Sequence, residues 1–143
     1  MSIRVHYDNV KFRLKKSGEI RRFLEKVIRE ENGIQGDLDF IFTGDKEMIN
    51  LNRKFLSHDF YTDVISFGYG EGRIVTGEIY IGCETVKRNA TFYNVKYTDE
   101  IFRVMIHGVL HLCGYSDNKP EEKERMTARQ EELLETFKGG GKR

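Results

Sequence analysis

The sequence predicts an α+β fold: a small mixed four-stranded β-sheet packed with about five helices, with a candidate metal site on a buried central helix. Short segments with the two-residue period of strands alternate along the chain with segments of helical spacing. The order is strand, helix, strand, helix, two strands, then helices, which suits a mixed sheet with helices packed over it. One segment, 98–113, is apolar nearly all round and belongs inside the domain. The 143 residues suit one domain, read as 1–138, with 139–143 a flexible C-terminal tail.

Residues 3–7 alternate and read as the first strand. Ser17 offers an N-cap to a helix carrying Ile20, Phe23, Leu24, Val27 and Ile28, and Asn32-Gly33 stops it. Asp37–Thr43 reads as a strand with Leu38, Phe40 and Phe42 on one face, after which Asp45 caps a short helix bearing Met48, Leu51 and Phe55. Thr62–Phe67 and Arg73–Ile81 are strand-like, and Gly68, Gly70 and Gly72 between them suit a hairpin loop. A polar helix is expected over 83–94, another from Thr98, and a last one from Pro120 to about Phe137.

Charge does not announce a partner: 24 Lys and Arg face 23 Asp and Glu, a formal net charge of +1. The basic residues are uneven, with Lys11, Arg13, Lys15, Lys16, Arg21 and Arg22 near the N-terminus. They read as either a basic binding face or a solvated surface. Cys83 and Cys113 make no disulfide framework and read as buried small apolar groups. The first residues hold no apolar run of signal-peptide kind and no later stretch suits a membrane span, which predicts a cytoplasmic location.

The segment His107-Gly-Val-Leu-His-Leu-Cys-Gly-Tyr-Ser-Asp117 carries the chemistry. Histidines four apart share one face of a helix and reach one ion; Gly114 ends the helix, and the chain folds back to bring up Asp117. Three protein ligands leave a position open for water, the pattern of catalytic zinc. The polar stripe Arg103, His107 and His111 in an otherwise apolar helix needs partners, since burying it bare costs several kcal/mol. Backbone-bonded core histidines are the competing reading, and Asp117 has one of its own as a cap for the last helix.

The spacing also occurs in zinc proteases of the pattern His-Glu-x-x-His-x-x-Gly-x-x-His, where the Glu is the general base. This chain has Gly108 there, which disfavours peptide hydrolysis by that route and suits phosphodiester chemistry better.

These residues resemble the YbeY family of metal-dependent endoribonucleases, whose motif is His-Gly-x-Leu-His-Leu-x-Gly-Tyr-Asp-His, with Asp117 standing where the third histidine lies. Leu51-Asn-Arg-Lys-Phe-Leu-Ser-His-Asp-Phe-Tyr-Thr-Asp-Val-Ile-Ser-Phe67 is similar to a second family stretch, and Thr76-Gly-Glu-Ile-Tyr-Ile81 to a third. The resemblance implies a metal-dependent hydrolase domain over 1–138: a single-strand-directed endoribonuclease of ribosomal RNA maturation, at the small-subunit 3′ end, and of ribosome quality control. It implies one Zn²⁺ on His107, His111 and Asp117, RNA as partner, chiefly ribosomal RNA precursors, the small ribosomal subunit as a further partner, and no membrane.

The family's cleft arginine is Leu56 here, so Arg53, Arg103 and His58 become candidates for holding substrate. Glu78, Asp63 and Tyr115 are candidates for acid–base work, and Arg13, Lys15 and Lys54 for contacts to the RNA backbone. Two other readings stay open: a metallopeptidase-like hydrolase using Glu78 or Asp63 as base, and a ribosome-associated binding protein whose metal is structural.

Overall fold

A computed structural model describes residues 2–56 and 62–140 of the protein. Strand β1 (Ile3–Tyr7) leads to helix α1 (Ser17–Glu30), strand β2 (Ile34–Thr43), helix α2 (Asp45–Leu51) and a π-helical turn (Asn52–Leu56). Strands β3 (Val64–Gly68) and β4 (Ile74–Gly82) precede helices α3 (Cys83–Tyr93), α4 (Tyr97–Leu112) and α5 (Pro120–Gly140). The strands form one mixed sheet ordered β1-β2-β4-β3, parallel except for the β3–β4 hairpin. The α+β class, with four strands and five helices among the described residues, is as expected.

Alternation along the strands sorts the sheet into two faces. Ile3, Leu38, Phe40, Phe42, Val75, Ile79 and Ile81 join Leu24 and Ile28 of α1 and Met105, Ile106 and Leu110 of α4 in the main core. Each fully buried aliphatic side chain contributes roughly 1.5–3 kcal/mol, so packing rather than helix propensity holds α4 in place. The other face carries Arg4, His6, Asp39, Glu78 and Tyr80; Met48 and Leu51 of α2 pack there with Ile65, Phe67 and Tyr80. Gly77 is obligatory in the hairpin, because a Cβ there would lie 2.0 Å from the Phe67 carbonyl oxygen.

Two helix termini differ from expectation. Ser17 is the first helical residue rather than the cap; Lys16 occupies the cap position in a left-handed conformation with no side-chain hydrogen bond. Helix α5 continues through Gly139 and Gly140, which were expected in the tail, and 141–143 lie outside the described residues. No helix among the described residues is long and apolar enough to cross a membrane.

Asp39 on β2 takes hydrogen bonds from Arg4 at 2.8 and 3.0 Å and pairs with His6 at 2.7 Å, linking β1 to β2. The Arg4 hydrogen bond, against the cost of partial burial and with help from His6, holds the Asp39 carboxyl below its ordinary range. A folded-state pKa below the unfolded one contributes stability above the ordinary carboxylate range and loses it as pH falls through the depressed value. Asp39→Asn is therefore expected to lower the melting temperature slightly at neutral pH, since the Arg4 and His6 side chains that face it are about half exposed and solvent screens the pairing. The difference from wild type should vanish in acid, and thermal melts across pH check it.

Candidate metal centre

Helix α4 positions the two histidines. Asp99 and Glu100 in its first turn complement the positive end of the helix dipole. It ends at Gly114, whose φ of 110° is open to glycine, and Gly114 N–H and Tyr115 N–H donate to the carbonyls of His111 and Leu110. His107 is half-buried, whereas His111 one turn later on the same face is exposed. Around them α4 packs against β3, β4, α1, α3 and α5.

Two members of the polar stripe on α4, Arg103 and His107, find partners on α5. The Arg103 guanidinium makes a two-pronged contact with Glu131, Nε to Oε2 at 2.9 Å and Nη2 to Oε1 at 3.1 Å, and also bonds Glu100. Arg103 is therefore a strut between α4 and α5, with its donors turned to carboxylates rather than to a substrate phosphate. Partial burial opposes the Glu131 charge, yet the hydrogen bonds from Arg103 and Gln130 prevail and hold its carboxyl below the ordinary range. Gln130, itself buried, donates from Nε2 to Glu131 Oε2 at 3.1 Å, and its Oε1 lies 2.8 Å from His107 Nδ1.

Gly108 has a packing reason. A Cβ there would lie 2.8 Å from Ile79 Cγ2, 3.0 Å from Ile79 Cδ1 and 3.2 Å from Ser66 Oγ, at the line where α4 rests on the sheet. The position where a zinc protease keeps its glutamate is thus turned into the sheet.

Several sequence candidates sit elsewhere. Glu78 is paired across the sheet with Phe67 on the face opposite α4, where it accepts a 2.8 Å hydrogen bond from the Tyr69 hydroxyl. The register of β4 therefore keeps it away from the histidines. The Tyr115 hydroxyl donates to Glu31 at 2.8 Å, and burial and that bond push its pKa up to about 12. Arg129 Nε grips the same carboxylate at 2.8 Å, so Tyr115 anchors the loop after α4 to the end of α1. Arg13 donates to the carbonyls of Val10 and Phe12 and lies over the Tyr7 ring, which makes it structural. Arg53 and Lys54 are exposed on the π-helical turn, a rare element often found at functional sites. His58 lies outside the described residues.

Asp63 is the carboxylate that the structure brings toward His107. It sits just before β3, where burial raises its pKa while the His107 charge and the N–H groups of Asp63 and Val64 act in the opposite direction. Asp117 is exposed and makes no hydrogen bond to α5 among the described residues, so capping does not account for it. Among the described residues no three His, Cys, Asp or Glu side chains are gathered closely enough to hold an ion. His107 and His111 lie one turn apart on α4, and Asp117 lies on the exposed loop that follows.

A family model described as Endoribonuclease YbeY matches residues 3–138. The chain belongs to the YbeY family. An Endoribonuclease YbeY of Christiangramia forsetii is 40% identical over 126 residues, covering 88% of each chain. One of Chlorobaculum parvum is 42% identical over 116 residues, 81% of this chain and 82% of its own. The solution structure of a Thermotoga maritima protein aligns with a TM-score of 0.68 at 28% identity, over 98% of this chain and 91% of its own.

The donors of this YbeY-family chain suit a divalent ion in kind: two imidazoles one turn apart, one with Nδ1 already engaged, and an exposed carboxylate on the adjoining loop. Sequence reasoning missed Gln130. A signal was present, because Gln130 interrupts the stripe of Met126, Leu133, Leu134 and Phe137, and a polar residue on an apolar helix face needs a partner.

Proposed function

We propose that this YbeY-family chain is a cytoplasmic, metal-dependent, single-strand-directed endoribonuclease. Its substrates in this reading are ribosomal RNA precursors, cut at the small-subunit 3′ end, and it serves ribosome quality control. The observation that carries the reading is the α4 histidine pair, in a chain whose relatives over most of its length bear the name Endoribonuclease YbeY. His107 and His111 are the ligands on the helix, and Asp117 completes the set from its exposed loop. Zn²⁺ is the ion that best suits two imidazoles and one carboxylate with a position open. A bound divalent ion supplies Lewis acidity toward water and phosphate oxygens.

The chain's own residues orient and exclude. Gln130 holds the His107 ring, the Arg103–Glu131 contact holds Gln130, and the Gly108 contact keeps α4 against the sheet. That contact also weighs against the peptidase reading, since no carboxylate can occupy the place of the protease base. Metal analysis with RNA cleavage tests the proposal, beside a peptide-library assay. The product ends separate two routes: a cyclic phosphate marks attack by the RNA 2′-hydroxyl, and its absence marks attack by water.

Lys15, Arg53 and Lys54 are exposed and are assigned to the RNA backbone. Three phosphate contacts on a single strand predict a log–log salt slope of roughly −2 in binding. Fluorescence titration at several salt concentrations measures it, and a flat line removes these residues from the interface.

A further inference from the structure

Gln130 owes its orientation to Glu131. A carboxylate only accepts hydrogen bonds, so the Gln130 atom 3.1 Å from Glu131 Oε2 is the amide nitrogen. Two Arg103 nitrogens donate to the same carboxylate, which keeps it ionised and fixed. The amide oxygen is then the atom facing His107, and because it only accepts, Nδ1 of the ring carries the proton. In a neutral imidazole this leaves the lone pair on Nε2, which makes no hydrogen bond among the described residues. The chain from Arg103 through Glu131 and Gln130 thus sets a tautomer on α4 from α5.

We infer that Gln130 is a positioning residue, which fixes His107 as the Nδ1–H tautomer and so presents Nε2 as the nitrogen that binds. As a route to metal binding, this rests on the metal-dependent reading above; the tautomer itself does not. Histidines that ligate metals commonly give their second nitrogen to such a partner, and losing the partner costs about 10–100-fold in metal affinity.

The test uses Gln130→Met, which keeps the buried volume but neither accepts from the ring nor donates to Glu131. Nitrogen-15 NMR of the His107 ring, in metal-free protein and mildly alkaline buffer where imidazoles are neutral, reads which nitrogen holds the proton. Wild type is expected at Nδ1–H and Q130M at a changed tautomer balance, with zinc binding about 10–100-fold weaker in the folded variant. A wild-type ring protonated at Nε2 overturns the proposal, and needs no variant to be observed. A ring unchanged in Q130M, or equal zinc affinity in the two folded proteins, overturns it as well. If wild type binds no divalent ion, the metal reading falls, and a shift of the ring in Q130M still supports the positioning role.

Discussion

His111→Ala is expected to abolish RNA cleavage and lower metal content while leaving the fold intact. The His111 side chain is exposed and makes no hydrogen bond among the described residues, so its removal strands no buried group. Its loss takes away one of three proposed ligands, which exceeds the ~10–100-fold cost of losing only a ligand's hydrogen-bond partner. His107→Ala differs in stability, because it leaves the buried Gln130 oxygen unpaired at a cost of about 1–3 kcal/mol. Metal analysis, cleavage assays and thermal melts on the two variants separate these effects. A domain that unfolds with His111→Ala would instead favour a structural ion, since such domains lose their fold with their metal.

Gly108→Glu is expected to destroy the fold rather than create a peptidase. The added Cβ alone would come within 2.8 Å of Ile79, in a core that α4 shares with the sheet. Overpacking of this kind costs roughly 1–3 kcal/mol, and an unpaired carboxylate driven into that contact adds several more. Against a total stability of about 5–15 kcal/mol, the sum leaves little native protein. Gly108→Ala isolates the first part, and urea denaturation of both variants measures it. An alanine variant as stable as wild type would mean that α4 can ride up from the sheet at no cost.

The elements were legible in the sequence because each carried its own period and punctuation. Apolar alternation marked the four strands, the glycines from Gly68 to Gly72 marked the hairpin, and the apolar girth of α4 marked its burial. The termini were less legible, as at Ser17, because α1 starts without a side-chain cap, from a left-handed Lys16. Within the candidate site, the sequence revealed what lies along one helix and concealed what lies across helices. His107 and His111 could be read from their spacing. The partner of Arg103 could not, because Glu131 is distant in sequence and looks like one ordinary surface charge among the many acids of α5. Glu78 and Tyr115 were plausible as acid–base groups until strand register and the Glu31 contact gave each another place. Asp63 carried no local mark that the fold brings it within electrostatic reach of His107.

The enclosure of α4 by five other elements bears on how the protein opens. Amides from Ile101 to Leu110 sit among fully packed neighbours and should exchange with deuterium only through global unfolding. His107 then belongs to the slowest-exchanging unit of the molecule, while His111 lies on its outermost turn, where fraying is cheaper. The His107 half of the site should therefore be lost only with melting of the whole domain, whereas the turn that carries His111 can fray at a lower temperature.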